Sequence, residues 1–307
     1  MKKQRRTQLN ILGVRVDFLT MEEALYWVEE QVKYNKVGQI TTPNPEQVVL
    51  AQEDKEFKEV LNKADLNICD GIGLLWAAKA AQSPKPKTQN QKPKLKDVKT
   101  EKAIKRLSGA DLMLEMCELA VRKGLRVMLV GGKEGVAKET AKILEKKLCD
   151  CEDPAQPEIK QFLNKNKKRD CFAGACNGSK HCFKVIGIEG SKNIENETKK
   201  EKEEIIKKIN KFKPNLLFVA YGAPWQEKWI AENLSKLKIN VGMGVGGAFD
   251  YISGKVSRAP GFVRKIGLEW FWRLVREPWR IRRQLVLLKF VWLLIINSDK
   301  VLPYRGK

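Results

Sequence analysis

Short apolar runs that stop at glycine, proline or aspartate recur along this chain, each followed by a stretch of helical spacing. The runs lie at 11–16, 39–42, 66–69, 125–130, 185–188, 216–220 and 239–242. The first helix starts at Thr20, where Glu23 three residues on completes a capping pair, and further helices are expected at 46–51, 74–81, 134–148, 201–212 and 225–237. Strands alternating with helices of this length form a parallel sheet covered by helices on both faces, so the expected class is α/β, Rossmann-like. A chain of 307 residues fits one large domain or two small ones, and no internal repeat is visible. Hydrophobic residues make up 43% of it, enough for a core, which excludes a wholly disordered or collagen-like chain.

Two segments interrupt the alternation. Residues 83–106 are rich in Lys, Pro and Gln, with nine basic residues against two acids, and read as a solvated insert. Residues 149–182 hold Cys149, Cys151, Cys171, Cys176 and Cys182 together with His181, the one histidine. This second insert reads either as a loop with free thiols or as a zinc site, but its Cys-x-Cys and Cys-x4-Cys spacings are not the Cys-x2-Cys of strong zinc modules. The composition then shifts at residue 255. From 255 to 307 there are thirteen Lys and Arg, three acids and Trp270, Trp272, Trp279 and Trp292. The expected division is therefore a Rossmann-like domain at 1–254, carrying both inserts, and a basic, Trp-rich helical appendage at 255–307.

The net charge of +22 predicts an anionic partner: nucleic acid, an acidic membrane surface or a phosphorylated substrate. The basic start MKKQRRTQLN lacks a following apolar region, which argues against a signal peptide. No run of about 20 apolar residues is present, and the stretch 285–296, broken by Lys289, is long enough to lie on a bilayer but not to span it. Seven cysteines in a chain of this length do not suggest a secreted disulfide scaffold.

Ligands of open α/β sheets bind beyond the carboxyl ends of the strands, so the junctions there are the candidate sites. They are Thr41-Thr42-Pro43-Asn44, Asp70-Gly71-Ile72-Gly73, Gly131-Gly132-Lys133-Glu134-Gly135, Tyr221 to Glu227, and Gly244 to Asp250. Glycine turns feeding helices let backbone N–H groups approach a phosphate. Asp70, at a strand end beside glycine, has two readings: a general base open to substrate, or a cap of the next helix. Asp250 has the same choice, with binding of a ribose hydroxyl as the functional version. No Asp-x-Asp follows a strand to hold a metal on a nucleotide diphosphate, and no Walker A lysine motif is present. Neither a metal nor a cofactor is therefore expected.

In combination these junctions resemble the WecG/TagA/CpsF glycosyltransferases (glycosyltransferase family 26), which make bacterial surface polymers. The matching stretches are TTPNPEQVVLA (41–51), ADLNICDGIGLLWAAK (64–79), GADLMLEMCELAVRKGLRVMLVGGKEGVA (109–137), PNLLFVAYGAPWQEKWI (214–230), VGMGVGGAFDYISGKVSRAP (241–260) and GLEWFWRLVREPWR (267–280). They run in order across most of the chain. Both inserts are longer than the family pattern suggests, and Trp225 stands where that pattern has Lys.

The resemblance implies a metal-independent, inverting transferase at the cytoplasmic face of a bacterial membrane, peripheral and without nucleic acid as partner. The implied donor is a UDP-sugar, UDP-N-acetylmannosamine in the TagA branch and the corresponding uronic acid in the WecG branch. The implied acceptor is a polyprenol-diphosphate-linked sugar, N-acetylglucosamine on undecaprenyl diphosphate in the TagA branch. It further implies homo-oligomers, and the basic, Trp-rich tail is the expected contact with an anionic membrane surface. By matched motif, Asp70 is implied as the catalytic base, with Thr42 and Asn44 near the acceptor sugar. Gln226 is implied as a donor contact and Asp250 at the nucleotide end, while Gly131 and Gly132 are expected to bind substrate through the glycine turn that can approach a phosphate. Arg273, Arg280 and Arg283 are implied to face the leaving diphosphate.

Two rivals can be weighed against this. A nicotinamide-dependent oxidoreductase is suggested by Gly131-Gly132-Lys133-Glu134-Gly135, but the fingerprint is incomplete and no placed histidine supports hydride transfer. A nucleic-acid binder is suggested by the charge, yet much of that charge sits in the 83–106 insert and in a tail that mixes Arg with Trp and Leu as interfacial helices do.

Overall fold

The computed structural model describes residues 7–82, 106–149, 183–261, 263, 269–276, 278, 281–297 and 301–303. In chain order the strands are β1 (Thr7–Ile11), β2 (Val14–Phe18), β3 (Gly38–Thr41), β4 (Leu66–Asn67), β5 (Arg126–Gly131), β6 (Lys184–Ile188), β7 (Leu216–Ala220), β8 (Val241–Gly244) and β9 (Val301–Pro303). The helices are α1 (Met21–Lys33), α2 (Pro45–Glu53), α3 (Lys55–Lys63), α4 (Ile72–Gln82), α5 (Gly109–Lys123) and α6 (Val136–Cys149). They continue with α7 (Lys199–Phe212), α8 (Trp225–Asn233), α9 (Ala248–Ile252), α10 (Glu269–Arg276) and α11 (Ile281–Ile296). A six-stranded sheet has the order β4-β3-β8-β7-β5-β6, and β2-β1-β9 form a second, smaller sheet. The pairs β3–β8, β8–β7, β7–β5 and β5–β6 are all parallel, as the strand–helix alternation requires. The fold is α/β, a parallel sheet flanked by helices.

The chain divides into two compact units, 1–24 with 41–108 and 277–307, and 25–40 with 109–276. This division differs from the one that composition suggests. Residues 277–307 return to the first unit, and 255–276 stay with the second.

In the second unit, β5 beyond Arg126 and the whole of β7 are apolar and buried. Met128, Val130, Leu217, Val219, Trp229 and Ile230 form its core. Helix α6 crosses β6 at Gly187, where an added Cβ would lie 2.1 Å from the Ala137 carbonyl oxygen, so only glycine permits that approach. Thr198 and Glu201 form a reciprocal capping box that starts α7.

In the first unit, the single strand expected at 11–16 is a hairpin. Leu12 (φ +54°) and Gly13 (φ +83°) form a two-residue turn, and Asn10 Oδ1 accepts the Gly13 N–H at 2.6 Å. β9 pairs antiparallel with the other edge of β1. Helix α11 buries Phe290, 2% exposed, among Ile11, Val14, Val48 and Leu74, with Val286, Leu293 and Leu294 packed beside it. These positions fall at i, i+4, i+7 and i+8, one stripe of the helix. Its remaining faces present Leu285, Leu288, Val291, Trp292, Ile295 and Ile296 to the exterior. Among the described residues no helix is long and apolar enough to cross a membrane.

Candidate active site

Asp70 sits at the carboxyl end of β4, and its backbone is held from two sides. Its own N–H donates to the Pro43 carbonyl (3.0 Å), and the N–H of Cys69 donates to the carbonyl of Asp17 (3.1 Å). Gly71 follows at φ +99°, where an added Cβ would lie 2.9 Å from Cδ of Pro45. Glycine at position 71 is therefore a steric requirement of the turn, which passes close to the start of α2. Asn44 forms that start, with its Oδ1 accepting the Gln47 N–H at 2.9 Å as an N-cap and Pro45 at the first helical position. Thr42 lies half-buried between the end of β3 and this cap.

The Asp70 carboxylate is engaged by an arginine. Arg106 Nε lies 3.2 Å from Asp70 Oδ1, with the side chains 20% and 26% exposed. Both remain open enough for a substrate to reach them. Cys69 is not a competing nucleophile, since burial pushes its thiol well above the ordinary range.

Beneath the turn lies a buried carboxylate that the sequence did not single out. Asp17 accepts from Gln8 Nε2 (2.7 Å) and pairs with Arg15 Nε (3.2 Å) through Oδ1, and accepts the Asn67 N–H (2.8 Å) through Oδ2. Asn67 in turn accepts from the Thr41 hydroxyl and donates to the Arg15 carbonyl. This network fixes β4 against β2 and β3, and so fixes the point from which Asp70 projects.

In the second unit, the turns after β5, β7 and β8 meet in a glycine-rich rim. Gly131 and Gly132 have φ of +91° and +78°, and the Gly132 N–H donates to the Ala220 carbonyl at 2.8 Å. Tyr221 covers Gly131, where an added Cβ would lie 2.8 Å from its ring, and its hydroxyl accepts the Ser191 N–H at 3.3 Å. Burial pushes the Tyr221 phenol up from its ordinary value, so the group stays neutral. The Gln226 side chain joins the β7 turn to the β8 turn, since its Oε1 accepts N–H groups of both Gly222 (3.2 Å) and Gly246 (2.9 Å). Phe249 lies beside Gly132 and takes a hydrogen bond from Thr140 Oγ1 on α6 (3.2 Å), which places the half-buried Asp250 at the same rim.

The GADLM and SRAP stretches meet as well. Arg258, almost wholly buried, pairs with Asp111 Oδ1 at 2.6 Å and lies over the Tyr251 ring at 6.0 Å. This pair pins the chain that leaves α9 onto the first turn of α5.

A family model described as the glycosyl transferase WecG/TagA/CpsF family matches residues 9–92 and 94–301. The chain belongs to that glycosyltransferase family. The enzyme is similar to two relatives named N-acetylglucosaminyldiphosphoundecaprenol N-acetyl-beta-D-mannosaminyltransferase. The one from Bacillus subtilis (strain 168) is 26% identical over 275 residues, covering 89% of this chain and 85% of the relative. The one from Bacillus spizizenii is 28% identical over 280 residues, covering 90% and 87%.

The glycosyltransferase thus gathers its expected site residues into two groups. Thr42, Asn44 and Asp70 cluster in the first unit, and Gly131, Gly132, Gln226 and Asp250 in the second. The side chains of Arg273, Arg280 and Arg283 lie outside the described residues, as do residues 83–105 and the span from Cys151 to Cys182 with His181. Among the described residues no group of three or more His, Cys, Asp or Glu could hold a metal ion. Sequence reasoning missed Arg106, Asp17 and Asn67. Arg106 carried the one available signal, a basic residue where the insert returns into GADLM.

Proposed function

We propose that this enzyme transfers N-acetylmannosamine from its UDP derivative to the N-acetylglucosamine of an undecaprenyl-diphosphate-linked acceptor, inverting the anomeric centre and using no metal. The donor sugar and acceptor follow the names of the two relatives, and the observation that carries the chemistry is Asp70 at the end of β4. Inversion by a single displacement needs one base to take the acceptor hydroxyl proton while the nucleotide diphosphate departs. Asp70 is that base, with Thr42 and Asn44 beside the acceptor sugar. The glycine rim with Asp250 receives the nucleotide end of the donor. The negative charge that develops on the leaving diphosphate is met by backbone N–H groups of the turns and by guanidinium groups, which grip phosphate bidentately. Arg273, Arg280 and Arg283 serve this last purpose.

A lipid-linked acceptor calls for a protein that works at the bilayer surface. Two features support a peripheral contact with an anionic cytoplasmic leaflet. In the first unit α11 keeps an apolar stripe exposed, and in the second α10 exposes Trp270, Phe271 and Val275. Residues 255–283 include nine basic residues and two acids, and each Lys or Arg near an anionic surface is worth about 1 kcal/mol. The reading is tested by incubating the enzyme with a panel of UDP-sugars and a short-chain GlcNAc-diphosphate lipid and following product mass. N-acetylmannosamine is the expected donor. Transfer of the uronic acid alone would move the enzyme to the other branch of its family.

A further inference from the structure

We infer that Gln226 is a positioning residue: it staples the turns after β7 and β8 together and acts on the donor through the rim they form. The inference rests on the assignment of that rim to the donor. Gln226 is 4% exposed. Both lone pairs of its Oε1 are committed, one to the Gly222 N–H and one to the Gly246 N–H. Its Nε2 donates to Oε1 of Glu227 at 2.8 Å. The orientation of the amide is fixed by chemistry, because a flipped amide would set its NH2 against two N–H donors. Gly244 makes room for the side chain, since an added Cβ there would lie 2.8 Å from Cγ and Nε2 of Gln226. The Glu227 carbonyl accepts from Gln39 Nε2 on β3 at 2.9 Å, so the staple is anchored to the neighbouring strand.

The acceptor and donor ends of the Gln226 amide have different jobs, which makes the role separable from a direct donor contact. A glutamate at this position would keep both bonds to the turns but set a second acid, in place of the amide N–H, against the buried Glu227 carboxylate. Exchanging the two side chains restores the pairing, with the amide now supplied from position 227 and the carboxylate from 226. A direct contact of the Gln226 NH2 with the donor would not survive that exchange.

The experiment compares Gln226→Glu, Gln226→Met, Glu227→Gln and the double variant Gln226→Glu/Glu227→Gln, with Asp250→Asn as an independent probe of the rim. Thermal unfolding midpoint, UDP affinity by calorimetry and donor KM against kcat are measured for each full-length protein. Gln226→Glu and Gln226→Met are expected to lower the midpoint and weaken UDP about tenfold or more, as loss of a buried bond to a charged partner does. The double variant is expected to return to within about threefold of wild type in UDP affinity and donor KM. An Asp250→Asn protein with weakened UDP beside a double variant no better than Gln226→Glu would overturn the staple. Restored midpoints with UDP affinity unaltered in every variant, Asp250→Asn included, would overturn the donor assignment on which it rests.

Discussion

Arg106 Nε stands 3.2 Å from Asp70 Oδ1, and the next peptide N–H, at Leu107, donates to the Cys69 carbonyl at 3.0 Å. One dipeptide therefore holds both the side chain of Asp70 and the peptide that precedes it. The end of the basic insert is in this way part of the turn that carries Asp70, a role that its composition does not reveal.

Asp70→Asn keeps the shape of the side chain and removes the proton acceptor. The expected result is a fall in kcat of about 10²–10⁴ with UDP affinity unchanged, since a general base contributes to the transition state rather than to ground-state binding. A variant that retains more than about a tenth of wild-type kcat would remove Asp70 from that role.

Arg106→Ala should lower kcat by roughly 10–100-fold, the scale of a hydrogen bond to a charged group, while UDP affinity stays within about twofold. Arg106→Lys is expected to fall between alanine and wild type, because an ammonium supplies the charge but not the planar guanidinium geometry. Equal activity of the alanine variant and wild type in steady-state kinetics would show that Asp70 is aimed without it.

Much of this architecture is legible in the sequence. The runs at 127–130 and 216–220 are buried throughout, so their apolar residues are continuous and end where glycine or tyrosine opens the rim. The hairpin at Leu12-Gly13 is hidden because leucine rarely takes a positive φ, and the run 11–16 then reads as one strand. The β9–β1 pairing and the Arg106–Asp70 contact join residues far apart in the chain, and no local pattern encodes them. Helix α11 misleads for a different reason. From Leu285 on only Lys289 interrupts its apolar residues, so the pattern does not single out one face, and only the packing of Phe290 shows which stripe belongs to the core.

That packing separates two kinds of substitution in α11. Phe290→Ala should destabilise the first unit by about 3–5 kcal/mol, seen as a lower unfolding midpoint. Leu288→Glu with Ile295→Glu, on the exposed stripe, should leave the midpoint nearly unchanged and abolish co-sedimentation with anionic liposomes. Undiminished sedimentation of that double variant would place the membrane contact elsewhere.

Turnover is expected to persist in excess EDTA, because the proposed mechanism meets the departing diphosphate with backbone N–H groups and guanidinium groups. Loss of activity on chelation, restored by Mg²⁺ or Mn²⁺, would contradict this. Unfolding on chelation that zinc reverses would instead identify the 149–182 insert as a structural metal site.

The most direct measurement is the mass and anomeric configuration of the lipid product formed from UDP-N-acetylmannosamine and a short-chain GlcNAc-diphosphate lipid. The expected product carries one added N-acetylhexosamine in the β configuration, inverted from an α-linked donor, and forms with wild-type enzyme but not with Asp70→Asn. A retained α configuration, or no transfer of N-acetylmannosamine by a folded enzyme, would contradict the account.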